Sequence, residues 1–331
     1  MMRKVLYPFC FGYPHPRRHR TYNAQERDQS MRNPPVELIA FDLDGTVFGR
    51  PTVQAASPRL ESAFIAAHEA GVVLAAATGR PSWMIGDQLG SAPWLDWAIA
   101  VNGALVAPMH GAPAGAEAIE TPFPRETALQ LLDLLDSYDA GMSAHMKTRT
   151  LVQNWTPAHL SAYPDDTKEL EGTAQDAHNP IFQMFDQMLE AGLMVPVDSV
   201  AAKMRANPGL RLDKLDAILP GEEACEEAVG RIHAMGGLEV ARVGPEDLEI
   251  TVAGVSKGAA LEGLCASLGI DPARAAAFGD SGNDISMAGR ANTFVAMGNA
   301  TPEVKAAADE VCGTVLDDGV AVWIEENVLE A

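Results

Sequence analysis

The stretch Val36-Glu37-Leu38-Ile39-Ala40-Phe41-Asp42-Leu43-Asp44-Gly45-Thr46 decides the fold. Its apolar run stops abruptly at two carboxylates two residues apart, followed by glycine and threonine. Such a run reads as a buried strand that delivers acidic side chains to a loop at its carboxyl end. Ser57-Pro58 then offers an N-cap and a first-turn proline, apolar residues recur at Leu60, Phe64 and Ala67, and Gly71 closes a helix. The pattern repeats outward. Val72 to Ala77 runs into Thr78-Gly79-Arg80, and Trp97 to Val101 into Asn102-Gly103. Near the other end, Ala275 to Phe278 runs into Gly279-Asp280-Ser281-Gly282-Asn283-Asp284, and Thr293 to Ala296 into Met297-Gly298-Asn299. Short apolar runs alternating with helices predict an α/β fold with a doubly wound, Rossmann-like parallel sheet, whose ligands bind beyond the carboxyl ends of the strands.

The middle of the chain reads differently. Residues 124 to 137 carry a helical apolar face at Ala128, Leu131, Leu132 and Leu135, and Met142 to Met146 and Thr150 to Asn154 read as a hairpin around Lys147-Thr148-Arg149. A polar, Met-rich region spans 155 to 210. A helix at about 221 to 235 and strand-like runs at Leu238 to Val243 and Leu248 to Val252 follow. The expected division is a core at 36–107 and 251–331, an inserted α+β cap at 108–250 that selects substrate, and a basic, disordered extension at 1–35. Lys147, Arg149 and Asn154 are candidates for substrate selection, although hairpin tips are usually just solvated. The run Met184, Met188, Met194 and Met204 reads as adaptable packing.

The 331 residues carry a net charge of -21, with 47% hydrophobic and 21% charged residues, which fits about two folded domains. Residues 1 to 30 carry +4 and the remainder -25, and translation from Met31 is one expectation for the basic leader. So acidic a body excludes nucleic acid and anionic membrane as partners, because both attract clustered Lys and Arg. No apolar run reaches the roughly 18 residues of a membrane span, and no cleavable signal is evident, so the cytoplasm is expected. The four cysteines are scattered and form neither a disulfide framework nor a zinc motif.

Asp42, Asp44, Asp280 and Asp284 converge at one sheet edge, where their mutual repulsion makes sense if a hard divalent cation, Mg2+, sits among them. The stretch is no calcium loop, because Gly45 is its fourth residue and Val53 its twelfth. Lys257 follows the predicted N-cap Ser256, where the helix dipole disfavours a cation. A phosphate and the aspartates would supply its partner, and the lysine supplies the positive charge that an anionic substrate needs. These residues alone leave open which carboxylate is nucleophile and which is metal ligand.

Phe41-Asp-Leu-Asp-Gly-Thr46, Ala77-Thr-Gly-Arg80, Lys257 and Gly279-Asp-Ser-Gly-Asn-Asp284 resemble, in order and spacing, the four motifs of the haloacid dehalogenase (HAD) superfamily. Val101-Asn-Gly-Ala104, Leu248-Glu-Ile250 before Gly254-Val-Ser-Lys-Gly258, Ala296-Met-Gly-Asn-Ala300 and Asp318-Gly-Val-Ala321 resemble its Cof-type hydrolases with a type IIB cap. The resemblance implies a Mg2+-dependent phosphatase acting on a small soluble phosphomonoester, a sugar phosphate or phosphorylated cofactor, through an aspartyl-phosphate. Asp42 would be the nucleophile and Asp44 the acid/base. Thr78 and the Gly79 N–H would bind phosphate, and Lys257 would stabilise charge. Asp280 and Asp284 would hold Mg2+ with Asp42 and the Asp44 carbonyl, and Asn102 and Asn283 would be secondary contacts. A phosphomutase or phosphotransferase is the alternative, and a receiver-type signalling module the remote one.

Overall fold

The computed structural model of the protein describes residues 35–49, 55–154, 186–242 and 245–330. The expected extension, residue 35 apart, and Met184 lie outside them. In chain order the strands are β1 (Leu38–Phe41), β2 (Val73–Ala77), β3 (Trp97–Ala100), β4 (Leu105–Pro108) and β5 (Ile119–Glu120). Next come β6 (Gly141–Met146), β7 (Arg149–Gln153), β8 (Met194–Pro196), β9 (Lys214–Ile218), β10 (Leu238–Arg242) and β11 (Asp247–Val252). The chain then returns through β12 (Ala275–Gly279), β13 (Thr293–Ala296) and β14 (Glu310–Val311).

The first sheet has the order β14-β13-β12-β1-β2-β3-β4-β5. Its six strands from β14 to β3 are parallel, and β4 and β5 extend the β3 edge antiparallel. Strands covered on both faces must be apolar throughout, and β1, β2 and β12 comply with Leu38, Ile39, Ala75, Ala276 and Phe278. Ser57 Oγ accepts from the Leu60 N–H (3.1 Å) to cap the helix Pro58–Glu69, and Gly71, at φ +90°, turns the chain into β2.

The second sheet, β10-β11-β9-β6-β7-β8, is antiparallel except where β7 pairs with β8. One face packs through Met142, Leu215 and Ile250 on Leu131 and Leu135 of the helix Arg125–Asp136 and on Cys225 and Ile232 of the helix Glu222–Met235. The core sheet reaches β5 at Ile119–Glu120, past the boundary expected at 107, and β11 carries the cap to Val252 rather than 250. Both shifts follow from packing. Met109, Ala112 and Ala116 lie against the core cluster, whereas Phe123 and Val252 join the cap cluster.

Candidate active site

The Asp42 N–H donates to the Phe278 carbonyl (3.0 Å), keeping β1 and β12 paired to their ends and bringing their two acidic loops together. The β1 loop closes on itself when the Phe48 N–H donates to the Leu43 carbonyl (2.7 Å) and the Gly45 N–H to the Phe48 carbonyl (2.9 Å). Gly45 sits at φ +83°, and a Cβ there would stand 2.2 Å from Asp280 Oδ2. Only glycine permits that approach. Asp280 is further reached by the Thr46 hydroxyl at 3.5 Å.

Asp284 lies in the short helix Gly282–Met287, and its Oδ2 accepts from the N–H groups of Asp280 and Ser281 (3.0 Å each). Its Oδ1 accepts from Lys257 Nζ (2.7 Å), which also donates to Asp42 Oδ1 (2.5 Å). Ser256 caps the lysine's helix, Lys257–Leu268, as expected, accepting from the Ala259 N–H (3.1 Å). Lys257 is 1% exposed, Asp42 4% and Asp284 0%. Burial by itself would push the lysine down, but Asp284 and Asp42 outweigh it and hold the ammonium above its ordinary value. For Asp42 burial wins: its carboxyl is pushed well up despite Lys257. Asp280 is pushed up to about 7, by burial first and by Asp284 and Asp44 next.

Ligand oxygens of Asp42, Asp280 and Asp284 lie within 4.8 Å of one another, a group of three carboxylates of the kind that holds a hard cation. Their number and their hard oxygen donors fit a divalent metal. The Asp44 carboxylate is not in the group. It faces Arg80, which donates from Nε to Oδ2 (2.7 Å) and from Nη2 to Oδ1 (2.5 Å).

At the end of β2 the Thr78 hydroxyl accepts from the Arg80 N–H (3.1 Å), and the Thr78 carbonyl accepts from the Asn102 N–H (3.0 Å). Val101, Asn102 and Gly103 all have positive φ, at 46°, 56° and 102°. For the β-branched Val101 that is a strained conformation. The turn it makes docks on the lysine's helix so closely that a Cβ on Gly103 would lie 2.4 Å from the Ser256 carbonyl. Asn283 Nδ2 donates to Asn102 Oδ1 (3.2 Å), and a Cβ on Gly79 would meet that same oxygen at 3.1 Å. Thr78, Gly79, Asn102 and Asn283 thus share one corner.

The cap touches this corner. Asn102 Nδ2 donates to Glu249 Oε2 (2.6 Å), and Glu249 Oε1 accepts from Lys214 Nζ (2.8 Å). Lys214 also pairs with Asp216 (3.0 Å), which meets His145 Nε2 at 2.6 Å, and His145 Nδ1 lies 2.9 Å from the Thr150 hydroxyl. On the other side Val152, Met188 and Met194 of the cap pack with Trp83 and Met84 of the core. The hairpin candidates do not join the site: Lys147 binds Glu120 (2.5 Å), Asn154 binds Asp139 (2.8 Å), and Arg149 is exposed. Arg80, Glu249 and Lys214 received no role from sequence. The first two stood inside quoted motifs, whereas Lys214 and Asp216 lie on β9, a strand whose alternation of charged and apolar residues was its one available signal.

A buried carboxylate held by a lysine at the strand ends of a doubly wound sheet, beneath an α+β cap, defines a phosphoryl-transfer hydrolase. The chain belongs to the haloacid dehalogenase-like hydrolases, whose family model matches residues 39–324. It is a Cof-type member and a phosphatase, which displaces the receiver-module alternative. It is 27% identical to phosphatase YwpJ of Bacillus subtilis (strain 168), covering 86% of this chain and 98% of that protein. It is 28% identical to pyridoxal phosphate phosphatase YbhA of Escherichia coli (strain K12), over 89% and 99%. A solved subclass IIB sugar phosphatase of the superfamily shares the fold, with a TM-score of 0.67 and 23% identity over 88% of this chain and 98% of that chain. Among the described residues no helix is long and apolar enough to cross a membrane.

Proposed function

We propose that the protein hydrolyses a small soluble phosphomonoester, a sugar phosphate or a phosphorylated cofactor, in the cytoplasm through an aspartyl-phosphate on Asp42. The observation that carries this is the buried contact of Lys257 with Asp42 and Asp284, two members of the three-carboxylate group. The similarity to pyridoxal phosphate phosphatase YbhA supports a phosphorylated cofactor as the substrate class.

Asp42 Oδ1 is taken by Lys257, leaving the other oxygen for attack on phosphorus. The P–O bond to the leaving group breaks as the new P–O bond to Asp42 forms, and Asp44 gives the leaving oxygen its proton. In the second half Asp44 takes a proton from water, which displaces Asp42 and releases inorganic phosphate. Splitting one displacement into two lowers each barrier. Arg80 is the resting partner of Asp44, so protonation of the leaving group requires the carboxyl to leave the guanidinium. Thr78 and the Gly79 N–H hold phosphate oxygens, and Lys257 opposes the burial that disfavours charge on Asp42. Asp42, Asp280, Asp284 and the Asp44 carbonyl would hold Mg2+, which when bound neutralises carboxylate and phosphate charge.

The test is phosphate release from a panel of phosphomonoesters, with and without magnesium, against an Asp42→Asn control. Magnesium-dependent release lost in the control is expected. No release above the control on any substrate overturns the proposal, and transfer to a second sugar hydroxyl in place of water makes the protein a phosphomutase.

A further inference from the structure

We propose that Glu249, a cap residue, is a positioning residue for phosphate: it fixes the Asn102 and Asn283 amides and completes the phosphate corner of the core when the cap is docked. The inference rests on the phosphatase reading of the site. Glu249 stands on β11, in the cap sheet, yet its Oε2 takes a hydrogen bond from Asn102 of the core at 2.6 Å. Its second oxygen is taken by Lys214, which is 2% exposed and is held above its ordinary value by Asp216 and Glu249, against a burial effect that acts the other way. The carboxylate is therefore anchored from within the cap.

A carboxylate can only accept, so the amide nitrogen of Asn102 must point at Glu249 and its oxygen must point away. That oxygen accepts from Asn283 Nδ2 at 3.2 Å, which fixes the second amide in turn, and Asn283 Oδ1 accepts from the Ser281 hydroxyl at 2.8 Å. The relay thus runs from Lys214 through Glu249, Asn102 and Asn283 to Ser281, the neighbour of Asp280. It passes beside Gly79, where a Cβ would stand 3.1 Å from Asn102 Oδ1 and 3.8 Å from Asn283 Nδ2. With this polarity Asn283 presents N–H, not oxygen, toward the corner where a phosphate oxygen must be met. A glutamine at 249 can donate as well as accept, which permits Asn102 to turn over and Asn283 with it, so that Asn283 faces the anion with oxygen.

The experiment compares wild type, Glu249→Gln and Glu249→Asp as full chains in magnesium. It reads the inhibition constant of inorganic phosphate, the melting shift phosphate produces, and the separate effects on KM and kcat. Glu249→Gln is expected to weaken phosphate about tenfold, the loss typical of one hydrogen bond to an ion. KM should rise in parallel and kcat should change less, whereas any fall in melting without phosphate reports the lost Lys214 pairing, of which Asp216 remains. Glu249→Asp keeps the accept-only character and recovers most of the affinity. Phosphate binding unchanged in Glu249→Gln, or Glu249→Asp no better than Glu249→Gln, overturns the inference. Should Glu249→Gln fail to fold, Glu249→Ala, which removes the acceptor, is compared with Glu249→Asp by the same phosphate-induced shift, and equal shifts overturn the inference. If wild type hydrolyses no substrate, the phosphatase reading fails, whereas the melting shift still judges Glu249 alone.

Discussion

Replacing Lys257 by methionine separates the charge of the lysine from its bulk. Its ammonium donates to Asp42 at 2.5 Å and to Asp284 at 2.7 Å, and none of the three side chains is more than 6% exposed. Removing one member of a buried ion pair leaves uncompensated charge and costs about 3–5 kcal/mol. For a chain of this size that lowers melting by roughly 4–7 °C. The loss has a signed pH dependence. Burial already raises Asp42, and Lys257 is the chief influence holding it down. Without the lysine the folded-state value climbs further above the unfolded one, so stability is retained at low pH and lost as pH rises through the new folded value. Thermal unfolding without divalent metal at pH 5 and pH 8 is the assay, with Arg59→Met, which breaks the exposed Arg59–Glu325 pair, as a control expected to change little. A large deficit at pH 8 that shrinks at pH 5 is expected. Melting of Lys257→Met within about 2 °C of wild type at pH 8, by the same conversion, refutes the claim that this charge holds the two carboxylates.

Other perturbations test the site and the fold separately. Gly45→Ala puts a Cβ 2.2 Å from Asp280 Oδ2 at φ +83°. It should leave a folded protein with turnover reduced about a hundredfold, as misplacement by an ångström does, and near-normal activity contradicts the close approach. Asp44→Asn should reduce turnover of alkyl phosphates by about 10²–10⁴ and of p-nitrophenyl phosphate much less, because nitrophenolate leaves without a proton; equal losses on both remove Asp44 from the acid role. Asp213 is pushed up to about 7, by burial first and Glu120 next. Its contribution is present at low pH and lost as pH rises through about 7, so Asp213→Asn should gain about 1 kcal/mol or more over wild type at pH 9 in urea unfolding. A loss there contradicts the sign.

The parts legible in the sequence are those where local chemistry and tertiary role coincide. Asp42, Thr78 and Asn102 each follow an apolar run directly, and Asp280 follows one after a single glycine, so a strand end announces them, and Lys257 stood out as a cation in a helix's first turn. Contacts made at long range were not legible. Arg80 and Asp44 lie 36 residues apart and Asn102 and Glu249 147 apart, and nothing local distinguishes Glu249 from a solvated strand residue. Strand β9 escaped because Lys214 and Asp216 alternate toward a polar face, which reads as surface when the partner elements are unknown. The cap boundary moved for a related reason: β5 is two residues long, and only its pairing with β4 places it in the core sheet.

The central claim is that Asp42 forms a covalent bond to phosphorus. Acid quenching during turnover, followed by borohydride reduction and peptide mass spectrometry, reads it directly, because an acyl phosphate is reduced to the alcohol while a free carboxylate is not. Homoserine at position 42, dependent on substrate and absent in Asp42→Asn, is the expected result. Reduction at another aspartate, or none in an enzyme that is turning over, contradicts it.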